Sequence, residues 1–137
     1  MQFCASDFGI NVLRNMLNYT RVIGYAIMLK GYVEAYNALE NFHYLDFVEK
    51  NAQYFIKNQW SREGFLYRSY KNRKSIIEGF LEDYAFTIQA FISLYQATLK
   101  ENYLHQAKQL TDYFLDYFYD EKQEFFCFQF TKCKSIN

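Results

Sequence analysis

The sequence GFLEDYAFTIQAFISLYQAT, residues 79–98, is apolar on nearly every side of a helix. Along one face, apolar residues recur at steps of three and four: Leu81, Tyr84, Ile88, Phe91 and Tyr95. The opposite face is no more polar, because it carries Phe80, Phe86, Ala90 and Leu94. Such a helix must be covered by neighbours on most sides, so we predict an inner helix over residues 80–99.

Composition places this helix in a single, mainly helical domain. The chain has 137 residues, enough for one domain with a substantial core. Tyr and Phe contribute 14 and 15 residues, which suits thick layers of helices packed on one another. The absence of proline and the presence of only five glycines indicate long helices with short connections.

Charge and hydropathy argue against nucleic-acid and membrane partners. Lys+Arg and Asp+Glu balance at 15 each, so no overall field attracts an anionic polymer or an anionic lipid surface. A basic cluster around Arg68 and Lys71 is interleaved with tyrosines and could form a phosphate patch, but a solvated loop is favoured. The longest apolar run, residues 22–29, falls far short of the ~20 residues that cross a bilayer.

The cysteines and histidines predict neither a metal site nor a cofactor. The odd count of cysteines (Cys4, Cys127, Cys133) without a C-x-x-C pair argues against a disulfide framework. His43 and His105 lie far from these cysteines in sequence, which disfavours a zinc set. With no charged segment ahead of an apolar stretch, no secretory signal is expected, and the predicted location is the cytoplasm.

Hydrophobic periodicity predicts three more helices, over residues 22–39, 44–58 and 102–119. Residues 41–43 are expected to form a turn. A small β-hairpin is expected around residues 65–70, with its turn at 71–73, and a last strand at 125–130. Residues 1–21 are an N-terminal segment without a clear pattern, and residues 132–137 read as a tail.

The chain also repeats itself. A shift of 59 residues aligns identical or similar residues along both pairs of helices: Tyr36 with Tyr95, Ala38 with Ala97, Tyr44 with Tyr103, Leu45 with Leu104, Tyr54 with Tyr113, and Phe55 with Phe114. This period is well above the ~34 residues of tetratricopeptide arrays. It favours an all-α fold, a partial (α/α) toroid of helical hairpins with short β-hairpin excursions. Residues 22–137 would supply about two and a half helical hairpins and leave an apolar flank open.

Four short segments carry a resemblance to a known family. They are MLKGY (residues 28–32), LYRSY (66–70), GFLEDYAF (79–86) and LYQAT (94–98). Together they resemble the six-hairpin toroid region of the spermatogenesis-associated, thioredoxin-domain-containing proteins. The resemblance spans residues 26–130.

The resemblance implies a toroid similar to sugar epimerases and six-hairpin glycosidases, in a family whose reaction is not well defined. Members usually carry a thioredoxin-like domain ahead of the toroid, and we expect none within these 137 residues. Residues 22–25 read VIGY where the family typically has T-x-W-N. Only about half a ring is encoded, so we expect a fragment of the toroid.

Glu82 and Asp83 are the candidate catalytic acids, because the resemblance places them at the mouth of the toroid. Adjacent helical residues point ~100° apart, so the two cannot act as one carboxylate pair. The alternative is that both are first-turn acids stabilised by the helix dipole. A second carboxylate from another hairpin cannot be chosen from the sequence.

The candidate substrate-binding residues lie on the excursion and in the aromatic set: Arg68, Ser69, Tyr70, Tyr84 and Trp60. Arg68 either clamps a sugar or forms an ion pair with Asp83. Tyr84 and Trp60 either stack on a sugar ring or belong to the core. His43 and His105 fall in turn or outer-helix positions and are given no catalytic role.

Three functional hypotheses follow. The chain is a toroid fragment without independent catalytic activity, it is a carbohydrate-binding or carbohydrate-processing unit completed by oligomerisation, or it is a helical protein-interaction module. The expected partners are accordingly a carbohydrate ligand, and a second copy or a complementary chain covering the open apolar flank.

Overall fold

The structure is a computed structural model that describes residues 21–71, 74–121 and 124–127. The described part holds four α-helices of 18 residues each: α1 (Val22–Leu39), α2 (Phe42–Gln59), α3 (Leu81–Thr98) and α4 (Glu101–Phe118). Four short strands complete it: β1 (Tyr67–Lys71), β2 (Lys74–Glu78), β3 (Tyr119–Asp120) and β4 (Phe125–Phe126). The sequence-based expectations for residues 1–20 and 132–137 lie outside these ranges.

The two helical hairpins obey the 59-residue repeat at every helix boundary. Helices α1 and α3 begin and end 59 residues apart, and so do α2 and α4. The chain leaves α1 and α3 in the same way, through residues in the left-handed region: Glu40 with φ 51° and Leu99 with φ 56°. Their N–H groups donate to the carbonyls of Tyr36 and Tyr95, at 2.8 and 2.7 Å. Tyr36 and Tyr95 therefore occupy equivalent positions, as the repeat predicted.

Helix α2 begins earlier than predicted, so the turn expected at residues 41–43 is wrong. Asn41 is the N-cap, and its side-chain Oδ1 accepts a hydrogen bond from the His43 N–H at 3.0 Å. A side-chain acceptor here satisfies one of the N–H groups left free at a helix start. The link between α1 and α2 is consequently only two residues long.

The helices form two layers. Helices α1 and α3 pack extensively against each other, while α2 packs on α1 and α4 packs on α3. The outer helices α2 and α4 make no comparable contact with each other. A pair of hairpins that packs mainly along its inner helices forms an arc, with α1 and α3 on the concave side.

Aromatic rings fill the space between the layers. Tyr25 stacks on Phe55 at 5.3 Å between ring centroids, and Phe91 contacts both Phe55 and Trp60 at 6.0 Å. The Tyr25 hydroxyl donates to the Asn51 carbonyl oxygen at 2.5 Å, and its burial raises the pKa of that hydroxyl. These contacts tie both helical hairpins into one core.

The predicted β-hairpin is present as β1 and β2, which pair antiparallel with an irregular register between Tyr67 and Tyr70. A bridge between Trp60 and Leu66 starts the first excursion, and the pairing of Tyr119 with Phe126 starts the second. The repeat thus continues beyond the helices. The last strand is seen at Phe125–Phe126, and the rest of its predicted range lies outside the described residues.

Three further observations concern membranes, metals and thiols. No helix in the described part of the chain is long and apolar enough to cross a membrane. The described residues include no group of three or more His, Cys, Asp or Glu side chains placed to hold a metal ion. Cys127 is disulfide-bonded, a pairing that the odd cysteine count did not predict.

Candidate functional site

The N-terminal end of α3 brings together three of the predicted site residues. The Arg68 guanidinium lies 3.5 Å from the Glu82 carboxylate and 3.7 Å from the Asp83 carboxylate. It also sits over the Phe80 ring, 3.9 Å from the ring centroid, in a cation–π arrangement. The predicted pairing of Arg68 with Asp83 is therefore confirmed, although 3.7 Å is an ion-pair distance and not a hydrogen bond.

Asp83 is buried at this position, with a side chain that is 0% exposed. Its Oδ2 accepts a hydrogen bond from the Phe80 N–H at 2.8 Å and so caps the start of α3. Its Oδ1 has no hydrogen-bond partner among the described residues. Burial raises the pKa of Asp83, opposed by the Phe80 hydrogen bond and by the Arg68 charge, which lower it. Asp83 therefore has a structural role at the start of α3. The side chain of Glu82, in contrast, is 40% exposed.

Tyr84 and Trp60 belong to the core. Tyr84 is 1% exposed, and its ring stacks on Tyr113 at 5.6 Å between centroids. Its hydroxyl oxygen accepts a hydrogen bond from the Leu66 N–H at 2.9 Å, and burial raises the pKa of that hydroxyl. Trp60 is half-buried and meets the Phe91 ring edge-on. In this structure both rings carry the core role that was the alternative to sugar stacking.

The remaining predicted binding residues lie on β1. Ser69 pairs through its backbone with Ile77 and forms an isolated bridge with Arg21. Tyr70 pairs through its backbone with Ser75, and its side chain lies outside the described part of the structure. The strand therefore fixes these two residues next to the Arg68 cluster, and their part in substrate binding remains a prediction.

A groove of about 600 Å³ runs along the concave side of α3. Its lining mixes polar and apolar side chains, all but one from α3: Lys30, Ala85, Phe86, Ile88, Gln89, Ile92, Ser93 and Gln96. Sequence reasoning overlooked the polar members Gln89, Ser93 and Gln96. Their spacing of four and three residues on an otherwise apolar helix was the signal that could have found them.

The polar groups that line the groove can form hydrogen bonds. The amides of Gln89 and Gln96, the Ser93 hydroxyl and the Lys30 ammonium can all bond to hydroxyl groups. Lys30 also lies 3.7 Å from Glu34 on the same helix. No Asp or Glu lines the groove in the described part of the chain. A glycosidase requires two carboxyl groups flanking the scissile bond.

Comparison with known sequences gives one partial match. No family model matches the chain. An uncharacterised protein of Caenorhabditis elegans, B0495.5, is 37% identical over 92 residues, which covers 61% of this chain and 12% of that protein. The chain therefore spans a small part of the length of this relative.

Comparison with solved structures identifies the fold. The GH76 α-mannanase BT2949 of Bacteroides thetaiotaomicron superposes with a TM-score of 0.68 at 19% identity, covering 76% of this chain and 30% of that one. The Lin0763 protein of Listeria innocua gives a TM-score of 0.67 at 20% identity, covering 75% and 31%. The fold is a glycosidase-like helical toroid, and this chain corresponds to a little under one third of these structures.

Proposed function

We propose that this chain is a structural arc of a six-hairpin, glycosidase-like toroid and has no catalytic activity by itself. The observation that carries the proposal is the separation of the acids from the concave groove. Asp83 is buried beside Arg68, and one of its carboxylate oxygens caps the start of α3. The described residues that line the groove include no carboxylate.

Family membership is part of this proposal. The motifs LYRSY and GFLEDYAF favour the spermatogenesis-associated, thioredoxin-domain-containing proteins, whose toroid is similar to sugar epimerases and six-hairpin glycosidases. The structure gives both motifs a physical role. Arg68 of LYRSY contacts Glu82 and Asp83 of GFLEDYAF. The hydroxyl oxygen of Tyr84 in GFLEDYAF accepts a hydrogen bond from the N–H of Leu66 in LYRSY. The two motifs thus form one structural unit that fastens the excursion to α3.

The geometry also explains why Glu82 and Asp83 alone are not sufficient for glycoside hydrolysis. Hydrolysis of a glycoside needs an acid and a second carboxylate about 5–9.5 Å apart across the sugar. Glu82 and Asp83 are neighbours in sequence and both face the same guanidinium. Any second carboxylate would have to come from further helical hairpins of a complete ring.

Activity assays and sugar titrations test the proposal. The 137-residue chain would be incubated with a panel of nitrophenyl glycosides and with yeast α-mannan, and titrated calorimetrically with mannose, glucose and N-acetylglucosamine. We expect neither turnover nor heat of binding. Turnover that disappears in Asp83→Asn or Glu82→Gln would overturn the proposal and assign the acid.

A second candidate function is carbohydrate binding by a completed ring. The polar stripe of Gln89, Ser93 and Gln96 on the concave side favours it, because amides and hydroxyls are the groups that bind sugar hydroxyls. Saturation-transfer NMR would detect weak binding. A signal that is lost in Gln89→Ala and kept in the outer-helix variant Gln53→Ala would support this candidate.

A further inference from the structure

The inner helices carry two stripes that the 59-residue repeat relates to each other. We define the forward face as Val22, Ala26, Leu29 and Val33 on α1 and, 59 residues later, Leu81, Ala85, Ile88 and Ile92 on α3. We define the backward face as Gly24, Met28, Gly31 and Ala35 on α1 and Asp83, Thr87, Ala90 and Leu94 on α3. At ~100° per residue, the two faces lie on nearly opposite sides of each helix.

Within the chain, the forward face of α1 and the backward face of α3 are both buried. The four α1 residues are 0–2% exposed, and the four α3 residues are 0–1% exposed. The rings of Tyr25 and Tyr32 point elsewhere, since they contact residues of α2. Because α1 packs extensively against α3, these two faces form the contact between the helical hairpins.

The other two faces are covered less completely by the described residues, although Leu81 and Ile88 of the forward face and Met28 of the backward face pack partly against the core. On α3, the forward-face residue Ile92 is 38% exposed, whereas its equivalent Val33 is 2% exposed. Ala85, Ile88 and Ile92 form one wall of the concave groove. On α1, Gly24 and Gly31 of the backward face are exposed, and a Cβ added to Gly31 would meet no atom within 4 Å.

The two open faces differ from the buried pair in opposite directions. On the forward face, Val22 and Val33 of α1 become Leu81 and Ile92 of α3, which are larger. On the backward face, Gly24, Gly31 and Ala35 of α1 are smaller than their α3 equivalents Asp83, Ala90 and Leu94, whereas Met28 is larger than Thr87. Two of the four forward-face positions are thus larger on α3, three of the four backward-face positions are smaller on α1, and the buried charge of Asp83 has no counterpart on α1.

We propose that the occupant of the open forward face of α3 is the backward face of α1 in a second copy of this chain, repeating head to tail the contact inside each chain. A contact between unlike faces closes into a ring when its rotation divides a full turn. The described part of each copy supplies two helical hairpins, and the chain covers 30% and 31% of the two toroid structures. Three copies would supply the six helical hairpins of one ring.

This inference rests on the toroid arc of the proposed function, but its test is the mass of the particle and not sugar chemistry. Light scattering and native mass spectrometry of the 137-residue chain should give three times 16.6 kDa. A monomer at 100 μM would overturn the inference, and a dimer that does not proceed to a trimer would do so as well. Sugar turnover by a trimer would contradict the proposed function alone.

Two variants test the faces separately. Ile92→Asp places a charge on the forward face, and Gly31→Leu adds a side chain to the backward face at a position where an added Cβ meets no atom within 4 Å. Each should abolish the trimer while the far-ultraviolet dichroism stays unchanged. Leu115→Asp is the matched control, because Leu115 is 46% exposed on the outer helix α4 and should leave the trimer intact. A trimer that survives Gly31→Leu would refute the assigned faces.

Mixing the two variants decides the direction of the contact. Ile92→Asp keeps an intact backward face, and Gly31→Leu keeps an intact forward face. An equimolar mixture should therefore form a one-to-one dimer that neither variant forms alone. If the mixture stays monomeric while wild type is a trimer, the contact is not head to tail and the inference fails.

Discussion

Gln59 is a polar residue at a core position. It ends α2, is 1% exposed, and neither its Oε1 nor its Nε2 has a hydrogen-bond partner among the described residues. Its repeat equivalent is Phe118, which ends α4 and is fully buried. At this position the second helical hairpin carries an aromatic ring, whereas the first carries an amide without hydrogen-bond partners. A buried amide without partners lowers the stability of the folded chain.

Replacing Gln59 with Met should therefore stabilise the chain. The substitution preserves length and volume and removes two unsatisfied polar atoms, so we expect the free energy of unfolding to rise by about 1–2 kcal/mol. Urea denaturation followed by circular dichroism measures it. Gln53→Met, at an exposed position of the same helix, is the control and should change little. A destabilised Gln59→Met chain would show that the amide has a partner after all.

Asp83 predicts a pH dependence of stability with a definite sign. Burial raises its pKa above the unfolded value of about 3.9. Between those two pKa values the folded chain binds more protons than the unfolded chain, so this group lowers stability as pH rises through that window. Asp83→Asn removes the titration but keeps an oxygen that can accept from the Phe80 N–H.

The test is the difference in unfolding free energy between wild type and Asp83→Asn, measured from pH 4 upward. As the pH rises, we expect the unfolding free energy of wild type to fall relative to that of Asp83→Asn, and then to stay at a constant offset. Glu82→Gln, at the neighbouring and more exposed acid, controls for the general effect of removing a charge near Arg68. A difference that moves in favour of wild type would mean that the Arg68 charge outweighs burial.

At the scale of elements, the ends of α1 and α3 make matched tests of the repeat. Glu40 and Leu99 both adopt positive φ, a conformation that glycine reaches without the steric cost paid by other residues. Leu99→Gly and Glu40→Gly should each stabilise the chain by about 1 kcal/mol. Thermal unfolding would show it, with Leu39→Gly as a destabilised control, because Leu39 is exposed but helical. Opposite signs for the two substitutions would contradict their equivalence.

The helices could be predicted from the sequence to within two residues, because their apolar periodicity is strong and each ends at a short link. The start of α2 was missed because the cap is a side-chain contact of Asn41, which local propensity does not show. The Arg68–Asp83 pair could be anticipated from chemistry, whereas the burial of Asp83 could not. Burial depends on how the excursion folds over α3, and that is settled by tertiary packing.

The groove illustrates a different limit. Its polar stripe of Gln89, Ser93 and Gln96 lies on the helix whose apolar residues dominate the sequence pattern, so the stripe was overlooked. Only the arc formed by α1 and α3 reveals that this side is concave. A hydrophobic pattern predicts which residues are covered, but it does not predict which uncovered side faces the inside of a ring.

At the scale of the whole molecule, the account depends on curvature. The inner helices pack against each other far more extensively than the outer helices do, which makes the two helical hairpins a wedge and is compatible with a ring. The ion pair between Lys100 and Glu49, at 2.5 Å, joins the second hairpin to the first. Exposed pairs contribute little to stability, so the packing of α1 on α3 carries the curvature.

Electron–electron distance spectroscopy tests that curvature most directly. Nitroxides would be introduced through a keto amino acid at two pairs of exposed positions that the repeat relates, Asn37 with Gln96 on the inner helices and Lys57 with Asp116 on the outer helices. Labelled chain is diluted with unlabelled chain so that only distances within one molecule are recorded. We predict a shorter distance for the inner pair than for the outer pair. Equal distances, or a longer inner distance, would contradict an arc of a toroid.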